Sequence, residues 1–97
     1  MELTYGRYLK VEELLQLQQP LSEGPEHDEM LFIIIHQVYE LWFKQILHEL
    51  EKLKSSFQEG ERGKALHTLK RIRSILKVLV SQVDVLETMT PLEFLSF

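Results

Sequence analysis

The middle of the chain carries one long helical pattern. Between Asp28 and Phe57 the apolar residues recur at alternating intervals of three and four, which puts them on one helix face. They are Phe32, Ile35, Tyr39, Phe43 or Trp42, Ile46, Leu50, Leu53 and Phe57. Asp28 is a suitable N-cap, and Glu29 adds negative charge to the first turn. We predict a helix over residues 28–58.

A second helical pattern follows a break that contains glycine. The stretch QEGERG, residues 58–63, has no apolar residue, so we expect the chain to turn there. The same alternating spacing then resumes and predicts a helix over residues 62–88, with Leu66, Leu69, Ile72, Leu76, Leu79, Val83 and Leu86 on one face. The two long helices should form an antiparallel hairpin.

The flanks of the hairpin are shorter. Residues 1–27 should be an arm with one brief helix that ends before Pro20, and Thr90-Pro91 should start a further helix over residues 90–97. A second apolar flank of the first long helix exceeds what one partner can cover; it consists of Leu31, Ile34, Val38, Leu41 and Trp42. We therefore predict an all-α fold, a long antiparallel hairpin with short flanking helices, within a larger helical bundle or oligomer.

The last apolar residues, up to Phe97, have no element of their own to pack on, so we expect the chain to be part of a longer one.

The composition of the 97 residues, 44% hydrophobic and 27% charged, is typical of a single globular region. A net charge of −4 argues against binding a phosphate backbone, and the absence of cysteine excludes thiolate chemistry and Cys-ligated metals. The apolar run Met30–Ile35 is far shorter than the roughly 20 residues that span a bilayer. We expect a cytoplasmic protein that binds neither nucleic acid nor membrane.

His36 interrupts a stripe of aromatic and aliphatic residues, one turn after Phe32 and one turn before Glu40. We expect its side chain to point inward, either as a core histidine bonded to a neighbouring helix or as a ligand or acid–base group. A metal site on His36 and Glu40 alone would have too few ligands. Near the N-terminus, Tyr5 and Tyr8 flank Gly6 and are expected to anchor the arm in a groove or to line a substrate site.

Three ordered stretches carry a resemblance to a known family. LTYGRYL, PEHDEMLFIIIHQVYELWFKQILHEL and SILKVLVSQVDVLETMTPLEFLSF together resemble the N-terminal part of tryptophan 2,3-dioxygenase, nearly from end to end of the chain. The resemblance implies an all-helical, tetrameric enzyme in which ferrous haem and O2 cleave the indole C2–C3 bond of L-tryptophan. The product would be N-formylkynurenine, the first intermediate of the kynurenine route.

The same resemblance assigns roles to residues of this sequence. His36 would be the distal-side histidine near the indole N–H, and Phe32 and Phe94 would line the substrate pocket. Tyr5 and Tyr8 match tyrosines that reach into a neighbouring subunit's site. The family's carboxylate-binding arginine and proximal haem histidine match no position in this chain, so the resemblance predicts only the substrate side of the site.

Two alternatives remain open from the sequence. The hairpin could be a non-catalytic helical module, or a fragment without activity, that associates with copies of itself or with a full-length relative. The chain could also carry haem with His36 or His48 as an axial ligand, because the aromatic face suits a porphyrin.

Overall fold

The computed structural model describes residues 3–24 and 26–89. In this part of the chain there are four α-helices: α1 (Tyr5–Leu9), α2 (Val11–Leu14), α3 (Glu29–Gln58) and α4 (Arg62–Leu86). The predicted fold class, a long helical hairpin with short flanking helices, is confirmed. The proposed start of a helix at residues 90–97 lies outside the described residues.

The two short helices form the arm. The Thr4 side chain caps α1 by accepting a hydrogen bond from the backbone N–H of Arg7 at 3.3 Å. Lys10 then adopts a left-handed conformation with φ of 52°, which ends α1 and starts α2 in a new direction. Where the sequence predicted one brief helix, the arm therefore contains two.

The turn between α3 and α4 is a Schellman motif built on Gly60. Gly60 has φ of +71°, which a residue without a Cβ adopts at little cost. Its N–H donates to the Phe57 carbonyl at 3.2 Å, and the Glu61 N–H donates to the Ser56 carbonyl at 2.8 Å. These two bonds satisfy the last carbonyls of α3 and reverse the chain.

The helices α3 and α4 pack against each other along their length. Near the turn the contact is made by small residues, namely Ser56, Ala65 and Thr68, all buried. Farther from the turn it is made by Ile35, Ile75 and Leu79, and the Tyr39 hydroxyl donates to the Leu79 carbonyl at 2.8 Å. That bond ties the two helices together in the half of the hairpin farther from the turn.

The face of α4 that packs on α3 agrees with the predicted series at Ile72, Leu79 and Leu86 and is displaced by one residue at the other four positions. Buried or half-buried positions are Ala65, Thr68, Ile72, Ile75, Leu79, Gln82 and Leu86. The expected core residues Leu66, Leu69, Leu76 and Val83 are exposed instead, each by more than 40%. The small residues of α4 allow the closer approach to α3, and this approach leaves the leucines on an open flank.

The molecule is a thin slab rather than a sphere. Its extents are 56 × 42 × 16 Å and its radius of gyration is 18.1 Å, against about 12.5 Å for a compact domain of this length. Within residues 3–24 and 26–89, no helix combines the length and apolar character needed to cross a bilayer.

Candidate functional site

The site is built around the first turns of α3, where Phe32 and His36 lie one helical turn apart. Their ring centroids are 4.2 Å apart with the planes tilted by 35°. The expectation that His36 points inward is wrong for this chain, because its side chain is exposed. Its partner is also not a neighbouring helix, since Nδ1 lies 2.7 Å from the Phe32 carbonyl oxygen of its own helix.

That single contact determines which nitrogen of His36 carries the proton in the neutral ring. A carbonyl oxygen can only accept, so Nδ1 must donate its N–H to Phe32. Nε2 then keeps its lone pair and is the acceptor. No residue in the described ranges gives Nε2 a hydrogen-bond partner, so this lone pair is open to a ligand's donor.

His36 lines a groove of about 540 Å³ between α3 and the end of the arm. This volume falls within the range of small-molecule sites. The apolar walls are Leu14 and Leu17 from the arm and Leu41 from α3. Polar groups come from α3, namely His36, Gln37, Glu40 and Lys44. The groove therefore offers an apolar surface with one histidine acceptor among a few polar side chains.

The arm joins α3 at Glu29, which is buried with 6% exposure. Its carboxylate accepts hydrogen bonds from the Leu21 N–H at 2.8 Å, the Ser22 N–H at 3.0 Å and the Ser22 hydroxyl. The Ser22 hydroxyl, followed by the Leu21 N–H, lowers the pKa of Glu29 below its ordinary value. Asp28, the expected cap, makes no side-chain hydrogen bond to the start of α3.

The other sequence-predicted site residues are not gathered around His36 in the described chain. Tyr5 and Tyr8 lie on α1, are 79% and 70% exposed, and belong to a helix that contacts α2 rather than the hairpin. Phe94 lies outside the described residues. The roles of Tyr5, Tyr8 and Phe94 therefore stay predictions.

Among the residues described here, no group of three or more His, Cys, Asp or Glu side chains could hold a metal ion. The pair His36 and Glu40 thus has no third ligand in the described chain. A second concavity, of about 770 Å³, lies beside α1 and α2 and includes Thr4, Arg7 and Glu12 in its lining. It contains neither an aromatic residue nor a histidine, so the groove at His36 is the better ligand site.

The sequence did not predict Gln37 as a site residue, nor the leucine wall, by which we mean the two arm residues Leu14 and Leu17. Gln37 is a polar residue between Ile33 and Leu41 on one helical stripe, and that pattern was a usable signal. Leu14 and Leu17 gave no signal, because only the folded arm brings them to α3.

A comparison with protein families matches residues 1–97 to the model for tryptophan 2,3-dioxygenase. The chain belongs to the tryptophan 2,3-dioxygenase family. Its relatives include proteins named tryptophan 2,3-dioxygenase from Herpetosiphon aurantiacus and Anaeromyxobacter sp. (strain K), both 62% identical over 98% of this chain. The protein of that name from Dictyostelium discoideum is 48% identical over 96% of this chain.

The chain spans about a third of these bacterial dioxygenases, 36% of the Herpetosiphon protein and 35% of the Anaeromyxobacter one. For the Dictyostelium protein the share is 25%. The match of residues 1–97 to the family model confirms the predicted family for this region.

Proposed function

We propose that this chain supplies the substrate side of a haem-dependent dioxygenase. The reaction would cleave the indole C2–C3 bond of L-tryptophan with O2 to give N-formylkynurenine, as family membership suggests. The observation that carries the proposal is the orientation of His36. With Nδ1–H held by the Phe32 carbonyl, Nε2 is an acceptor matched to the one N–H donor of an indole ring.

The groove fits the rest of an indole ring. Leu14, Leu17 and Leu41 provide apolar contact for a flat ring that has no other hydrogen-bonding atom. Phe32 packs on the His36 ring and limits its rotation, so the acceptor keeps its direction. His36 thus orients the substrate, and its Nε2 lone pair can accept the indole proton.

The groove holds one histidine, and the family resemblance assigns it to the substrate side of haem. Of the residues that line the groove, only His36 is a histidine, and the hydrogen bond from Nδ1 to the Phe32 carbonyl leaves Nε2 as the nitrogen that would face a ligand. By family resemblance the proximal ligand comes from outside this chain, while His36 and Phe32 would face the distal side of the ring. Haem, when bound, would supply the activation of O2.

Replacing His36 by Ala in the complete haem-loaded protein tests this role. Loss of the hydrogen bond to the indole N–H should weaken L-tryptophan binding about tenfold, measured from the change of the haem absorption spectrum on titration. His48→Ala is the matched control, because His48 is an exposed histidine on the same helix that does not line the groove. It should bind L-tryptophan as the unchanged protein does.

An analogue of L-tryptophan whose ring nitrogen is replaced by sulfur sharpens the test, because it has no N–H to donate. The unchanged protein should bind this analogue less tightly than L-tryptophan, whereas His36→Ala should no longer distinguish the two. Equal affinity of the His36→Ala variant and the unchanged protein for L-tryptophan would remove His36 from the site. Loss of haem itself would instead make His36 an axial ligand, the haem-carrier alternative.

The exposed apolar side chains of the hairpin favour a second function for this chain, in the assembly of an oligomer. Leucine and valine side chains stay exposed along α4, and the slab is only 16 Å thick. One layer of helices cannot cover its own apolar surface, so we propose that the chain assembles with copies of itself, as a tetramer by family resemblance. Tyr5 and Tyr8 would then reach a neighbouring subunit's groove. Light scattering at micromolar concentration that gave the mass of one chain would contradict this assembly.

A further inference from the structure

The leucine wall of the groove is held to α3 by side-chain amides. Gln37 Nε2 donates to the Leu17 carbonyl at 2.9 Å, and Gln37 Oε1 accepts from Gln18 Nε2, also at 2.9 Å. Gln18 Nε2 donates in addition to the Leu14 carbonyl at 2.9 Å. Both glutamines are half-buried. The backbone carbonyls of both wall residues are therefore fixed by one pair of glutamines, and one of that pair adjoins His36.

Glu29 binds the arm a few residues after Leu17. Its carboxylate accepts hydrogen bonds from the Leu21 N–H, the Ser22 N–H and the Ser22 hydroxyl. Glu29 and Gln37 are eight residues apart on α3, so the arm is fastened at two points, two turns apart. Residues 17–22 span the distance between these points.

These bonds matter because the arm has little else to hold it. The helices of the described chain contact in two pairs, α3 with α4 and α1 with α2. A helix as short as α2, with four residues, has no stability of its own in water. The position of Leu14 and Leu17 relative to His36 therefore depends on the polar side chains of α3 and Gln18.

We propose that Gln37, Gln18 and Glu29 are positioning residues, which hold the leucine wall across the groove from His36. By fixing Leu14 and Leu17 they set the affinity of the groove for the substrate's apolar ring. This inference rests on the proposed function, since it assumes that the groove holds an indole. The residues act through the wall and need not touch the substrate.

The wall would contact the ring in the ground state and in the transition state alike. An interaction of this kind lowers KM without changing kcat, so its loss should raise KM alone. We expect Gln37→Met, which keeps the side-chain length but loses both hydrogen bonds, to raise KM and the Kd for L-tryptophan about fivefold. The kcat should stay within about twofold.

The experiment uses the complete haem-loaded protein and compares Gln37→Met, Gln18→Met and the double variant. Because the bond between the two amides is lost in either single variant, the double variant should raise KM by less than the product of the two single effects. Glu29→Gln should raise KM in the same direction. Gln45→Met is the matched control, since Gln45 is a glutamine on the same helix that bonds Glu49 at 2.7 Å, does not line the groove and makes no bond to the arm. It should leave KM unchanged.

The wall can also be tested directly, in case loss of the amide pair unfolds the arm. Leu17 is 62% exposed, so Leu17→Ala removes part of the wall with little effect on folding, and it should also raise KM. An unchanged KM in Gln37→Met or in Leu17→Ala, with weakened tryptophan binding in His36→Ala, would overturn the positioning role and leave the proposed function standing. Unchanged binding in His36→Ala as well would overturn both. A fall in kcat at constant KM would also contradict the positioning role.

Discussion

At the scale of single residues, the side chain of His36 is controlled by a backbone atom rather than by another side chain. The Phe32 carbonyl oxygen, 2.7 Å from Nδ1, is already part of α3. A substitution of Phe32 changes the ring that packs on His36 but keeps this oxygen. The acceptor at Nε2 should therefore survive Phe32→Leu, while the packing that limits rotation of the imidazole should not.

The side chain of Tyr39 hydrogen-bonds across the hairpin, in the half farther from the turn. Its hydroxyl donates to the Leu79 carbonyl at 2.8 Å, and the side chain is half-buried. Tyr39→Phe should lower the free energy of unfolding by about 1 kcal/mol, because it removes one hydrogen bond and little apolar area. Chemical denaturation measures this change. Tyr8→Phe, at a side chain that is 70% exposed, should change stability by less than about 0.5 kcal/mol, and equal effects would contradict the role of Tyr39.

The residue scale is also where sequence reasoning reached its limit. His36 was found because a histidine among aromatics breaks the pattern, and the family resemblance added Phe32. The structure puts their two rings in contact. The direction of His36 was wrong, because periodicity assigns a residue to a stripe but cannot tell which flank of a two-sided apolar helix is covered. Gln37 was missed because its partners, Gln18 and Leu17, come from a segment about twenty residues away.

At the scale of elements, the bounds of the long helices follow from local signals. The turn needs a left-handed residue, and Gly60 provides it within the QEGERG stretch. The face of α4 that packs on α3 followed only in part, because α4 has exposed leucines on one flank and the buried Ala65 and Thr68 on the next. A periodicity argument favours the leucines, whereas close packing of two helices favours the small residues.

Gly60→Ala should destabilise the hairpin by about 1 kcal/mol, the cost of a Cβ in the left-handed region. Gly63 is the matched control, because it lies within α4 and has an ordinary negative φ. At both glycines a Cβ would meet no atom within 4 Å, so the two substitutions differ only in backbone conformation. Gly63→Ala should leave the free energy of unfolding unchanged or raise it. Equal destabilisation by both, in thermal unfolding, would contradict the assignment of strain to Gly60.

The junction of the arm with α3 should be sensitive to acid. The pKa of Glu29 is lowered in the folded chain, mainly by the Ser22 hydroxyl and then by the Leu21 N–H. A lowered pKa means that the junction is fully stabilised above the unfolded-state pKa, about 4.3, and loses this stabilisation as the pH falls through the folded value. The amide NMR signals of Leu21 and Ser22 should therefore titrate with a midpoint below that of an ordinary glutamate.

Glu29→Gln provides the control for that titration, because it removes the ionisable group and keeps an acceptor oxygen. The acid-dependent shift of both amide signals should disappear in this variant. A midpoint at or above the ordinary glutamate value in the unchanged protein would contradict the hydrogen-bonded carboxylate.

At the scale of the whole molecule, the chain exposes far more surface than a compact domain of its size. Its accessible surface is 8060 Å², against about 5,800 Å² expected for a folded monomer of this mass. Leu76 and Val80, adjacent on one flank of α4, are 48% and 72% exposed. An apolar flank of this kind is typical of a surface that another helix covers.

Charge placed on that flank should block assembly without unfolding the hairpin. We expect the double substitution of Leu76→Lys and Val80→Lys to lower the mass measured by light scattering while the helical circular dichroism signal is kept. Ser74→Lys is the control, since Ser74 is exposed and lies on the opposite side of α4 from Leu76. An assembly that persists in the double variant would show that this flank is not the contact.

The Schellman turn also has a consequence for the order in which the hairpin forms. Contacts near Gly60, such as those of Ser56 and Ala65, close loops of only a few residues, whereas the bond from Tyr39 to Leu79 closes a loop of forty. Loop closure costs more entropy as the loop lengthens. The contacts between α3 and α4 should therefore form first near the turn and then progressively farther from it. The groove at His36 lies in the half of α3 farther from the turn. We therefore expect the α3 side of this groove to be ordered late in folding and to open before the turn does.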